Sequence, residues 1–164
     1  MVFDHIEEKE AVKRAALIER NGITFYSLLL EKLTDRRIKS VLKKLIRDEK
    51  KHLRAMEERY FPEAGLMEDE ITEEEIEIER YVKRLGVPDL FARRINIEKL
   101  VAAIDEPKKA LLIALDAENH SLEFFKEMAR LSRTADGRKM YLELADEEKE
   151  HIGHISELLE AIGN

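Results

Sequence analysis

Apolar residues recur along this chain in steps of four and three, the spacing of a helix that buries one face. Four stretches keep that rhythm. They run from about Glu8 to Leu33, Arg36 to Tyr60, Pro107 to Leu131 and Asp136 to Ile162. Pro107 suits the first turn of a helix, where its missing N–H costs nothing. At 1.5 Å per residue, each stretch of about 25 residues predicts a rod roughly 37 Å long. The buried seams read Val12, Ala16, Glu19, Ile23, Tyr26, Leu30 and Leu33 on the first helix, and Ile38, Leu42, Leu45, Glu49, His52 and Met56 on the second. On the third they read Leu111, Leu115, Glu118, Leu122, Phe125 and Ala129. On the fourth they read Tyr141, Leu144, Glu148, His151, Ile155, Leu158 and Ile162.

Short turns at Thr34–Asp35 and Thr134–Gly137 predict two antiparallel hairpins. Residues 61–106 between them are long enough to run back along the hairpins, with shorter helices expected around Glu74–Leu85 and Pro88–Ala103. The fold expected is therefore all-α: a ferritin-like four-helix bundle, two antiparallel hairpins joined by a long, partly helical crossover, in a single domain over 1–164. Only six glycines and three prolines interrupt the chain, as long helices require.

The seams are apolar except near their middles. There the first and third helices each carry one glutamate, Glu19 and Glu118. The second and fourth each carry a Glu-x-x-His pair, Glu49 with His52 and Glu148 with His151, three residues apart on one face. The chain also repeats itself. ALIERNGITFY (Ala16–Tyr26) aligns with LDAENHSLEFF (Leu115–Phe125), and LIRDEKKHL (Leu45–Leu53) with LADEEKEHI (Leu144–Ile152), both at an offset of 99 residues. Glu19 and Glu49 stand equally far from a midpoint near Thr34, and Glu118 and Glu148 equally far from one near Arg133, so all six side chains are expected at one height.

A lone Glu-x-x-His on a charged helix is ordinarily a surface pair. Here seam position, height and repeat offset agree for six residues, which points to a site. Four buried carboxylates repel one another and resist ionisation. Two divalent cations neutralise them. Oxygen donors with one imidazole per ion suit iron or manganese, with zinc as a further candidate. Glu19, Glu49, His52, Glu118, Glu148 and His151 are the expected metal ligands, around two Fe ions.

Composition narrows the function. With no cysteine there is no thiolate zinc site, iron–sulfur cluster or cysteine nucleophile. Acidic residues outnumber basic ones 36 to 29, so no basic face for nucleic acid is expected. No apolar run approaches membrane-spanning length and the opening residues are too acidic for a signal peptide, so the expected location is cytoplasmic, with no membrane partner.

Other residues read more plainly. Tyr26 and Tyr141 lie seven residues from a ligand on its face. Each is expected to pack with a hydroxyl hydrogen bond, a role beside the metal being the alternative. His154 is expected at the surface, and His5 and His120 off the seam in solvent. Asp48 and Glu147 precede the ligand glutamates and point about 100° away. They read as surface charges, with support of a histidine N–H on a neighbouring helix as the alternative. The acidic run Glu68–Glu75 reads as a solvated helix start, with attraction of iron as the alternative.

Taken together, Glu19, Glu49-Lys-Lys-His52, Glu118 and Glu148-Lys-Glu-His151 resemble the ferritin-like di-iron carboxylate proteins, and most closely the di-iron domain of rubrerythrins. The resemblance covers all four long helices. It implies that Glu19 and Glu118 are terminal ligands, that Glu49 and Glu148 bridge, that His52 and His151 each cap one metal, and that Tyr26 stands near the site. It implies an oxidoreductase that reduces hydrogen peroxide or dioxygen. The absence of cysteine means that electrons come from a separate donor protein rather than an attached rubredoxin-like domain. Leu115 and Ser121 stand where that family carries a further carboxylate. A homodimer or larger homo-oligomer is expected. The alternatives are a ferroxidase or iron-storage subunit, and a helical interaction module with a vestigial site.

Overall fold

The computed structural model describes the backbone over residues 3–60 and 96–163, and the side chains over 13–57 and 96–163. Among these residues the protein is all-α, without strands. Four long helices, α1 (Phe3–Lys32), α2 (Arg36–Tyr60), α4 (Pro107–Leu131) and α5 (Ala135–Gly163), are joined by a short one, α3 (Ile97–Ala102). The expected helices around Glu74–Leu85 and at the start of Pro88–Ala103, and the acidic run Glu68–Glu75, lie outside the described residues.

Local chemistry sets the boundaries. Asp35 accepts hydrogen bonds from the backbone N–H groups of Arg37 (2.8 Å) and Ile38 (3.1 Å), satisfying donors that the first turn of α2 leaves open. Thr34 and Asp35 leave no room for anything but a reversal, and α2 returns along α1. Arg20 accordingly pairs with Glu57 at 3.9 Å. In the second hairpin the turn is tighter than expected. Thr134 Oγ1 accepts from Gly137 N (3.0 Å), so α5 begins at Ala135, and Asp136 and Gly137 are already helical. α1 likewise starts at Phe3, ahead of the expected Glu8. Asn96 caps α3 by accepting from Lys99 N (2.9 Å), which fixes the described start of that helix inside the stretch expected from Pro88.

Lys32, at the end of α1, ties α3 down. Its Nζ donates to the carbonyls of Val101 (2.8 Å), in the last turn of α3, and of Ile104 (2.5 Å), just beyond it. α4 therefore starts beside the end of α1. Glu19 stands 13 residues before Lys32 and Glu118 stands 14 after Ile104, so the two glutamates reach the same height from opposite directions.

The core between the helices includes Phe25, Tyr26, Leu29, Leu45, Phe125 and Ile155, each with no exposed surface. It is broader than the expected seams. Ile23, Leu30, Leu115 and Ile162 are half-buried, while their neighbours Leu29 and Ala114 are buried. A helix that packs against more than one other helix buries a stripe wider than a two-residue seam, and the stripe shifts toward the second neighbour. No described helix is long and apolar enough to cross a membrane.

Candidate metal centre

One layer of this core is polar. Glu19 on α1, Glu49 and His52 on α2, Glu118 on α4, and Glu148 and His151 on α5 are all at most 3 % exposed. Each helix places its residues by spacing alone: three residues bring Glu and His of α2, and Glu and His of α5, to one face. The structure brings all six residues together. They form two overlapping groups whose potential ligand atoms lie within 4.8 Å of one another. One group is Glu19, Glu49, His52 and Glu148; the other is Glu49, Glu118, Glu148 and His151. Glu49 and Glu148 belong to both.

Both imidazoles point the same nitrogen inward. His52 Nδ1 faces Glu19 (3.4 Å) and Glu148 (3.7 Å). His151 Nδ1 is 3.3 Å from each of Glu49, Glu118 and Glu148. Their outer nitrogens are held by carboxylates from the opposite hairpin. His52 Nε2 lies 2.5 Å from Glu147 on α5, and His151 Nε2 lies 3.2 Å from Asp48 on α2. These two acids are not plain surface charges, as the hundred-degree offset suggested. Adjacent helices lie close enough for a side chain pointing sideways from one to reach the ring on the next. Their role had a signal in the sequence: an acid precedes the ligand glutamate in both copies of the repeat.

Tyr26 donates its hydroxyl hydrogen to Glu118 across the core. Tyr141 is buried and stacks on Phe125, with ring centres 6.5 Å apart. His120 is half-buried rather than solvated, 3.6 Å from Asp116 one turn away, and His154 is half-buried. His5 is helical, within α1, and its side chain lies outside the described ones. Sequence reasoning also missed Gly22. A Cβ there would stand 3.6 Å from Glu49 Oε2, in ordinary contact, so the glycine backbone lies directly beside a shared carboxylate.

The electrostatics follow from burial. Desolvation raises the Glu19 carboxyl well above its ordinary value, and the charges of Glu49 and Glu118 raise it further. Glu148 is raised in the same way by burial and by Glu118 and Glu49. Burial also lifts Tyr26, reinforced by Glu118 and Glu49. Glu118 is pushed up by burial, yet hydrogen bonds, including those from His151 and Tyr26, leave it below the ordinary carboxyl value. Burial depresses both imidazoles, and the acids around them outweigh it. His52 rises through Glu147 and Glu49, and His151 through Glu118, Glu148 and Glu49.

The chemistry of this donor set fits cations. Both oxygens of Glu19 and of Glu148, Glu49 Oε1 and His52 Nδ1 are buried without a hydrogen-bond partner. A buried carboxylate oxygen without a donor is costly, and these converge on shared space. An imidazole whose outer N–H is held by a carboxylate presents its other nitrogen as a lone pair, the arrangement metal-binding histidines use. Buried Glu and His groups that could hold metal ions are therefore present, and the residues match the six expected from the sequence.

Comparisons with protein-family models, with curated proteins and with solved structures gave no match.

Proposed function

We propose that the chain is a ferritin-like four-helix bundle of the di-iron carboxylate type, most like the di-iron domain of rubrerythrins, and that it is an oxidoreductase acting on hydrogen peroxide or dioxygen. The observation that carries this reading is the pair of overlapping ligand groups that share Glu49 and Glu148. A single-ion site has no use for two histidines on opposite sides of two shared carboxylates.

Glu19 and His52 would hold one ion, Glu118 and His151 the other, and Glu49 and Glu148 would bridge. Four carboxylates balance two divalent charges, and oxygen donors with one imidazole per ion favour iron or manganese. Bound iron would supply the electrons and open coordination positions by which peroxide or dioxygen is reduced. The protein's own part is fourfold. It supplies a low-dielectric layer closed by Leu45, Tyr26 and Phe125, each without exposed surface. It fixes both imidazoles through Asp48 and Glu147. It points the Tyr26 hydroxyl hydrogen at a ligand carboxylate, Glu118. It also brings the backbone of Gly22 close beside Glu49. Electrons would arrive from a separate donor, since the chain has no cysteine for an iron–sulfur or rubredoxin-like relay.

The test is elemental analysis of natively purified protein, with an ultraviolet–visible spectrum before and after peroxide. Two irons per chain and a charge-transfer band that grows on oxidation are expected. Glu49→Ala combined with Glu148→Ala should abolish the rise in melting temperature caused by Fe²⁺ or Mn²⁺ while the metal-free fold survives. A double variant that keeps the full metal response would overturn the assignment of bridging ligands.

A further inference from the structure

The two halves of the site carry the same ligands, but the 99-residue repeat fails at the residues that support them. Tyr26 gives its hydroxyl hydrogen to Glu118. The repeat puts Phe125 in the corresponding place, with no hydroxyl to give, and both oxygens of Glu19 lack a donor. Asp48, which holds His151, has a side chain only 9 % exposed and is itself fixed by Lys44 at 2.7 Å. Glu147, which holds His52, has a side chain 42 % exposed. The repeat puts Glu143 where Lys44 stands, so no lysine one turn back fixes it. The His52–Glu147 contact is the shorter, at 2.5 Å against 3.2 Å. Solvent reaches Glu147, however, and water competes for a half-exposed carboxylate far better than for a buried one.

We propose that the two metal positions are unequal: the one framed by Glu118 and His151 binds the first ion and holds it, while the one framed by Glu19 and His52 binds second and exchanges with solution. This rests on the metal reading above and adds an order of loading. A ligand already oriented by a hydrogen bond loses less freedom on binding, and outer partners of this kind ordinarily change metal affinity by about 10- to 100-fold. Tyr26, Asp48 and Lys44 orient ligands on one side. On the other, among the described residues, only Glu147 does so, from the solvent edge. Reversible occupancy of the second position lets the centre pass between one-ion and two-ion states as the supply of metal changes.

The experiment is a titration of the metal-free full chain with Mn²⁺, free Mn²⁺ being read by electron paramagnetic resonance. Two steps separated by about 10-fold or more in affinity are expected. Crystals grown with one equivalent of Mn²⁺ should show anomalous scattering beside Glu118 and His151. Tyr26→Phe and Asp48→Asn should weaken the first step by about 10-fold and spare the second, while Glu147→Gln should do the reverse. Two equal steps, or anomalous scattering beside Glu19 and His52 at one equivalent, would overturn the proposal and leave the dinuclear reading standing. No Mn²⁺ binding at any concentration would overturn both. If a variant fails to fold, the anomalous signal of the unaltered chain decides alone.

Discussion

The core of this protein has two kinds of layer, built on the same helices and equally sealed from water. Leu45 and Met56 lie one turn outside Glu49 and His52, and all four side chains are buried. The apolar layers gain free energy simply by leaving water, at roughly 25 cal/mol per Å². The polar layer loses it, because carboxylates and imidazoles give up hydration and find too few donors in exchange. The contrast separates what makes the fold from what the fold is for. The outer layers can assemble unaided; the middle one calls for positive charge from outside.

The largest effect should fall on the outer layers and ignore cations. Leu29→Ala removes a fully buried side chain ten residues along α1 from Glu19 and should cost about 3–5 kcal/mol by chemical denaturation. The loss should be the same with and without Mn²⁺, measured at saturation; a large difference would mean that the layers are not independent.

The next effect belongs to the middle layer alone. Mn²⁺ or Fe²⁺ at a hundred times its dissociation constant should stabilise the chain by about 2.7 kcal/mol per site, seen as a rise in melting temperature. The Leu29→Ala chain should show the same increment.

The response to pH sharpens the contrast further. Glu19 and Glu148 titrate above the ordinary 4.5, and His52 and His151 above the ordinary 6.5, so the folded metal-free chain holds protons that the unfolded chain releases. Their contribution is fully present below those ordinary values and is lost as pH rises through the folded ones, by up to about 1.4 kcal/mol per pH unit for each group in transit. Glu118, Asp48 and Glu147 titrate low, so their contribution is present above the ordinary carboxyl values and is lost in acid. Metal-free protein should therefore be most stable in mild acid and weaken toward alkaline pH. Metal displaces the held protons, so the gap in melting temperature between loaded and metal-free protein should widen from about pH 5.5 to about pH 8. Glu19→Gln with Glu148→Gln should flatten the alkaline decline. A metal-free chain that gains stability across this range would contradict the assigned directions.

The smallest effect lies outside both layers. Arg130 pairs with Glu127 at 2.5 Å on the exposed face of α4, and Arg130→Ala should change stability by no more than about 0.5 kcal/mol.

The sequence displayed the long helices because each keeps its period for many turns, and Arg36–Tyr60 and Pro107–Leu131 match the expected bounds. It displayed the six convergent side chains because polar residues on an apolar seam stand out, and a repeat doubled the signal. What it hid were contacts between helices that periodicity does not describe. The reach of Asp48 to His151 and of Glu147 to His52 depends on how closely α2 and α5 approach. The half-burial of Ile23 and Leu115 depends on which second neighbour each helix meets. Gly137 reads as a loop residue and lengthens the expected turn before α5, whereas Thr134 caps the helix ahead of it.

Each of the two ligand groups draws on both hairpins: Glu148 of α5 completes the group of Glu19, Glu49 and His52, and Glu49 of α2 completes the group of Glu118, Glu148 and His151. Neither hairpin owns a whole site. A bound ion would thus act as a rivet through the seam between them, and stripping it would let the halves breathe apart as units, opening the protein along its line of internal symmetry before either hairpin frays.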